Sequence, residues 1–147
     1  MEALLFAHSF LRWILLILLV TITIKSFMSW FGKKPVMVLD RKLTSWTVMS
    51  AHIELVLGAI LYFMRFKTYA KTPDGSYTDM VRFFKFEHIS MMILAVILLT
   101  MGSVLSKKAK DENAKHKRIA LFFGIALIII LAAIPWPFRE ALGRQWL

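Results

Sequence analysis

The residues of this chain best suited to chemistry are four histidines, His8, His52, His88 and His116. All lie in or beside long apolar runs. Imidazole ligates metals and exchanges protons near neutral pH. An ionisable side chain inside an apolar span is costly, and by default it raises a functional hypothesis. Glu54 and Glu87 add carboxylates to the same runs, and Arg12 follows His8 by four residues. The chain contains no cysteine. That excludes disulfides, thiolate metal sites, iron–sulfur clusters and covalent haem attachment through Cys-x-x-Cys-His. No nucleophile–base pair, phosphate-binding loop or metalloprotease motif is present in the sequence.

The elements that must position these groups are membrane helices. Of 147 residues 59% are hydrophobic, and the mean hydropathy is +0.65. Soluble domains average about 45–50% apolar. Crossing a hydrocarbon layer of roughly 30 Å takes about 20 helical residues. Four segments satisfy this, at about 4–30, 44–64, 84–105 and 118–138. Pro135 and Pro137 are expected to stop the fourth. Trp30, Trp46, Trp136 and Trp146 fall near segment ends, where an indole ring suits the headgroup level. The connections are short, and "KTPDGSYTD" carries a Pro-Asp-Gly turn signal. The expectation is a single all-α domain over residues 1–147, an integral membrane four-helix bundle with up-down-up-down topology. The first span has no basic leader and no small-residue cleavage site, so it reads as a retained helix rather than a signal peptide.

The formal charge of +10 comes from Lys and Arg concentrated in the connections. That distribution suits anionic headgroups, and nothing in it points to nucleic acid. Eleven basic residues flank the 1–2 and 3–4 connections (Lys25, Lys33, Lys34, Arg41, Lys42; Lys107, Lys108, Lys110, Lys115, Lys117, Arg118). Seven lie on the other side (Arg65, Lys67, Lys71, Arg82, Lys85, Arg139, Arg144). The positive-inside rule then predicts a multi-pass protein with both termini outside.

This topology lets the histidines be compared by depth. His8 and His88 each lie four residues into their spans from the outer side, roughly 6 Å below one interface. Spans one and three are diagonal in an up-down bundle, so the two imidazoles are expected to face each other across the core. A bis-histidine haem b needs that arrangement, with two axial nitrogens at matched height. Below His88 the same face continues through Met92, Ala95, Leu99 and Gly102, where Ala95 and Gly102 are expected to leave room for a flat ring. Arg12 shares the face of His8 and is a candidate partner for a haem propionate, for headgroups or for Glu87. His52 and His116 belong to the inner half. Their levels differ by roughly 15 Å in ideal helices, because His116 precedes the fourth span within a basic connection. A second haem on His52 and His116 requires the fourth helix to start earlier or sit deeper. Glu54 and His52, two residues apart, do not share a face. Either could carry a proton or contact a quinone, and each histidine could equally serve as an interhelical hydrogen-bond partner.

Four stretches, "AHSFLRWILL", "SAHIELVLGAILYF", "EHISMMILAV" and "KHKRIALFF…ILAAIPWPF", resemble the short four-helix bacterial membrane proteins labelled cytochrome b. The resemblance spans nearly the whole chain. More distantly, the layout is similar to the four-helix di-haem cytochromes b that exchange electrons with quinone. It implies non-covalent haem b in the bacterial inner membrane, with electron transfer to a quinone or a respiratory partner. By position, His8 and His88 would be axial ligands, with His52 and His116 as candidates for a second pair. The chain departs from the di-haem layout in having no histidine within its fourth apolar run. Two other readings stand beside this one: a non-catalytic structural or assembly subunit of a larger membrane complex, and a His/Glu metal site in a small transporter.

Overall fold

The structure is a computed structural model and describes residues 1–139. It is all-helical, with four helices long and apolar enough to cross a membrane. We label them α1 (Glu2–Phe31), α2 (Val38–Arg65), α3 (Asp79–Lys108) and α4 (Glu112–Ala133). The four-helix expectation therefore holds. Each helix packs on two neighbours: α1 on α2 and α4, and α3 on α2 and α4. That leaves α1 and α3 on one diagonal, as the short connections require. Leu15, Leu19 and Ile22 of α1, Ala51 of α2, Ala95 and Leu99 of α3, and Phe123, Ala126 and Ile130 of α4 form the buried core. All four helices expose large apolar side chains outward, among them Ile17, Ile24, Val56, Phe63, Ile97 and Ile128. Apolar exposure on this scale suits lipid and is rare on soluble monomers.

Three helices begin earlier than hydropathy alone predicts, each for a polar reason. In α2, Asp40 Oδ2 accepts from the Met37 N–H (2.8 Å), while Asp40 Oδ1 sits 2.7 Å from Lys25 Nζ of α1. Thr78 Oγ1 accepts from Val81 N and starts α3. Asp111 caps α4 by accepting from Ala114 N at 2.8 Å, satisfying one of the donors that a helix start leaves open. At its other end α4 stops at Ala133. Ile134, which precedes Pro135, has ψ 129° and is extended, as the residue before a proline prefers. Hydrogen bonds close the α2–α3 connection around Thr72–Ser76, and Gly75 takes φ +82°, the conformation that the Pro-Asp-Gly signal anticipates. Trp146 and Arg144 lie outside the described residues.

Two features of α3 bear on the site. Its α-helical ladder is interrupted by a π-helical turn over Phe83–Glu87, ending at the residue before His88. Lower down, Gly102 offers no clearance for a ligand, contrary to the sequence expectation. A Cβ there would lie 2.6 Å from Phe122 Cβ, so α4 already fills that space.

Candidate cofactor site

His8 and His88 meet. Their ring centroids are 6.4 Å apart, with the ring planes 77° to one another. Two diagonal helices thus bring imidazoles to one level near the end of the bundle that carries the N-terminus. Two imidazole nitrogens each about 2 Å from a shared metal would leave their ring centres roughly 6 Å apart, so the spacing suits a metal held between them.

Each ring is oriented by a group on another helix. His88 Nδ1 lies 2.8 Å from the carbonyl oxygen of Ala133 on α4. A carbonyl only accepts, so Nδ1 carries a proton, and in the neutral ring Nε2 is then the nitrogen with the lone pair. The residue four beyond Ala133 is Pro137, which has no N–H to offer that carbonyl, and His88 takes its place. His8 Nδ1 lies 3.2 Å from Glu54 Oε1 on α2. Carboxylate or carbonyl partners on the second ring nitrogen are the usual companions of metal-ligating histidines, fixing tautomer and ring direction. Gly58, one turn after Glu54, lets His8 in: a Cβ there would stand 3.2 Å from His8 Cε1. On α3 the π-helical turn packs Phe83 and Phe84 beside His88, at centroid distances of 5.8 and 5.9 Å. Such turns recur at functional positions in helices.

Cavities flank the histidine pair on both sides. One, of about 290 Å³, opens toward α2 and α3 and is lined by Gly58, Ala59, Tyr62, Phe84, Met92 and Ala95 among others. The second, of about 510 Å³, opens toward α1 and α4 past Arg12, Ile134 and Pro135. Both reach His8, Glu54 and His88. Ligand sites typically enclose about 300–1,000 Å³. Ala95, unlike Gly102, does supply clearance here.

The remaining predicted residues divide clearly. Arg12 lines the larger cavity together with Glu54, and its guanidinium lies 5.6 Å from the Trp13 ring centroid. Glu87 pairs with Arg82, whose Nε is 3.1 Å away. His52 is exposed on the outer surface, with Nδ1 2.7 Å from Val48 O and Nε2 3.5 Å from Thr100 Oγ1 of α3. Glu54, two residues on, points inward, so the two do diverge. His116 is not part of a solvated connection. The Asp111 cap starts α4 early enough to enclose it, and it is 3% exposed. It lines a third cavity at the opposite end of the bundle, which His52 does not reach. The pair His52 and His116 is therefore not assembled around one space. Among the described residues, no group of three or more His, Cys, Asp or Glu gathers to hold a metal ion, so the transporter-type His/Glu site gains no support. A macrocycle that brings its own four nitrogens needs only two axial ligands.

Fold, apolar exterior and inward-facing polar end define a class: a multi-pass membrane four-helix bundle with a two-histidine centre at one end. No family model, curated protein or solved structure matches the chain.

Proposed function

We propose that this protein is a haem b-binding electron-transfer protein of the bacterial inner membrane, with His8 and His88 as the axial ligands. The observation that carries the reading is the His8–His88 pair: two rings 6.4 Å apart on diagonal helices, each with Nδ1 against a carboxylate or carbonyl oxygen, between cavities on either side. Bound haem would supply reversible one-electron exchange. The chain's own residues do the rest. Ala133 O and Glu54 aim the two imidazoles. Leu5, Leu15, Met92 and Ile130 line both cavities and exclude water. Arg12, at the rim of the larger cavity, offers a cation for a propionate. One haem accounts for the geometry, since His52 and His116 do not share a cavity. The partner would be a quinone or a respiratory redox protein. The excess of Lys and Arg around the 1–2 and 3–4 connections supports an orientation with this centre toward the outer face and both termini outside.

The test is a reduced-minus-oxidised spectrum of protein purified from a haem-sufficient host. A Soret band with split α and β bands, at one haem per chain, is expected. A colourless protein that co-purifies with stoichiometric partners would favour the structural-subunit reading instead.

A further inference from the structure

The end of the bundle away from His8 and His88 holds a cavity of different chemistry. It measures about 380 Å³ and lies among the end of α1, the start of α2, the end of α3 and the start of α4. That is room for about a dozen water-sized volumes. Its wall carries the hydroxyls of Ser26, Thr44 and Ser103. Three cations, Arg41, Lys107 and Lys115, also line it. None of the three has an acidic partner among the described residues.

Two carboxylates line the same space, and both are engaged. Asp40 is 5% exposed. It is held by Lys25 Nζ at 2.7 Å and by the Met37 N–H at 2.8 Å. Glu112 Oε2 accepts from Val36 N at 3.3 Å. With Asp40 neutralised by Lys25, the cavity wall retains net positive charge. Into it faces His116, 3% exposed, whose Nε2 is buried and has no hydrogen-bond partner among the described residues. A buried ring nitrogen without a partner is costly in a folded chain and marks a place where a ligand atom completes the site.

We infer that this cavity is a binding site for a phosphate group, with Arg41, Lys107 and Lys115 supplying charge and the His116 imidazole donating a hydrogen bond to a phosphate oxygen. The chemistry is that of an anionic phospholipid headgroup or of free inorganic phosphate. Basic pockets between transmembrane helices are recurrent headgroup sites. The site is independent of the histidine pair and stands whether or not haem binds there.

The experiment uses the full-length protein in mild detergent. Native mass spectrometry would be run with equimolar phosphatidylglycerol and phosphatidylcholine, and calorimetry with inorganic phosphate. Wild type is expected to retain one phosphatidylglycerol in preference to phosphatidylcholine if the source is lipid, or to bind one phosphate if it is soluble. The double variant Lys107→Gln/Lys115→Gln changes only side chains near the surface and keeps the fold testable. It should weaken the binding roughly tenfold or more, through loss of charge-assisted contacts, and His116→Leu should act in the same direction. Lys42→Gln/Lys110→Gln, at the same end but outside the cavity, should leave binding unchanged. Binding of neither ligand, or equal binding by cavity and control variants, would overturn the proposal.

Discussion

Gly102→Ala is predicted to destabilise the bundle, although alanine is the better helix former. The new Cβ would stand 2.6 Å from Phe122 Cβ, 3.3 Å from Phe122 Cγ and 3.3 Å from Phe123 Cδ1. Carbon atoms pack best at about 3.5–4.0 Å, so the closest pair must separate by about 1 Å. Phe122 Cβ is bonded to the backbone of α4, and no rotamer change can move it away. The relief has to come from α3 and α4 parting or sliding, in a core where Phe123 and Leu99 are fully buried. Overpacking of this kind costs about 1–3 kcal/mol, against about 0.5–1 kcal/mol gained from replacing a helical glycine. The net loss is about 0–2.5 kcal/mol, with a middle value of about 1 kcal/mol. Gly124→Ala is the matched control, because its Cβ would meet Phe27 Cε2 at an ordinary 3.5 Å. It should be neutral or stabilising by up to about 1 kcal/mol. Reversible unfolding by sodium dodecyl sulfate, followed by circular dichroism, resolves the roughly 2 kcal/mol between the two. Equal stability, or Gly102→Ala the more stable, would refute the packing of α3 on α4 described above.

Other consequences follow from single contacts. Lys25→Met strips the buried Asp40 of its cation and should cost about 2 kcal/mol, less than a fully buried pair because Lys25 is 30% exposed. Adding Asp40→Asn should recover most of that loss, and a simple sum of two losses would contradict the pairing. In the α2–α3 connection, hydrogen bonds from the Thr72 hydroxyl first, then from the Ser76 hydroxyl and N–H, hold the Asp74 carboxyl below the usual carboxylate range. A depressed carboxylate stabilises the turn above its unfolded pKa, and that contribution is lost as pH falls through the lower folded value. Thr72→Val should move the Asp74 titration up toward the ordinary range by nuclear magnetic resonance, and an unmoved titration would contradict the contact. Gly58→Leu should push His8 out of line and reduce haem retention by roughly tenfold or more, while Gly124→Ala retains pigment. Equal pigment in both would show that Gly58 does not shape the site.

The bundle was legible because apolar runs of spanning length, short connections and proline stops all report on the same architecture. The matched depth of His8 and His88 was legible for the same reason, since helical rise converts sequence position into height. Helix starts were harder to read. Asp40, Thr78 and Asp111 extend helices through polar residues that hydropathy counts as connection, and that is why His116 proved buried rather than solvated. The roles of Glu54 and Ala133 depend on which faces of α2 and α4 meet the histidines, and a single sequence gives no register between helices. One signal was available: Pro137 leaves the Ala133 carbonyl without its usual partner. The π-helical turn at Phe83–Glu87 has no comparable mark in the sequence.

The central claim is that His8 and His88 act as one ligand pair. It is tested most directly by optical spectra of His8→Ala and His88→Ala, purified beside wild type and beside His52→Ala. Each of the first two substitutions is predicted to abolish the same low-spin haem signal, while His52→Ala retains it. A spectrum unchanged from wild type in either His8→Ala or His88→Ala would contradict the account.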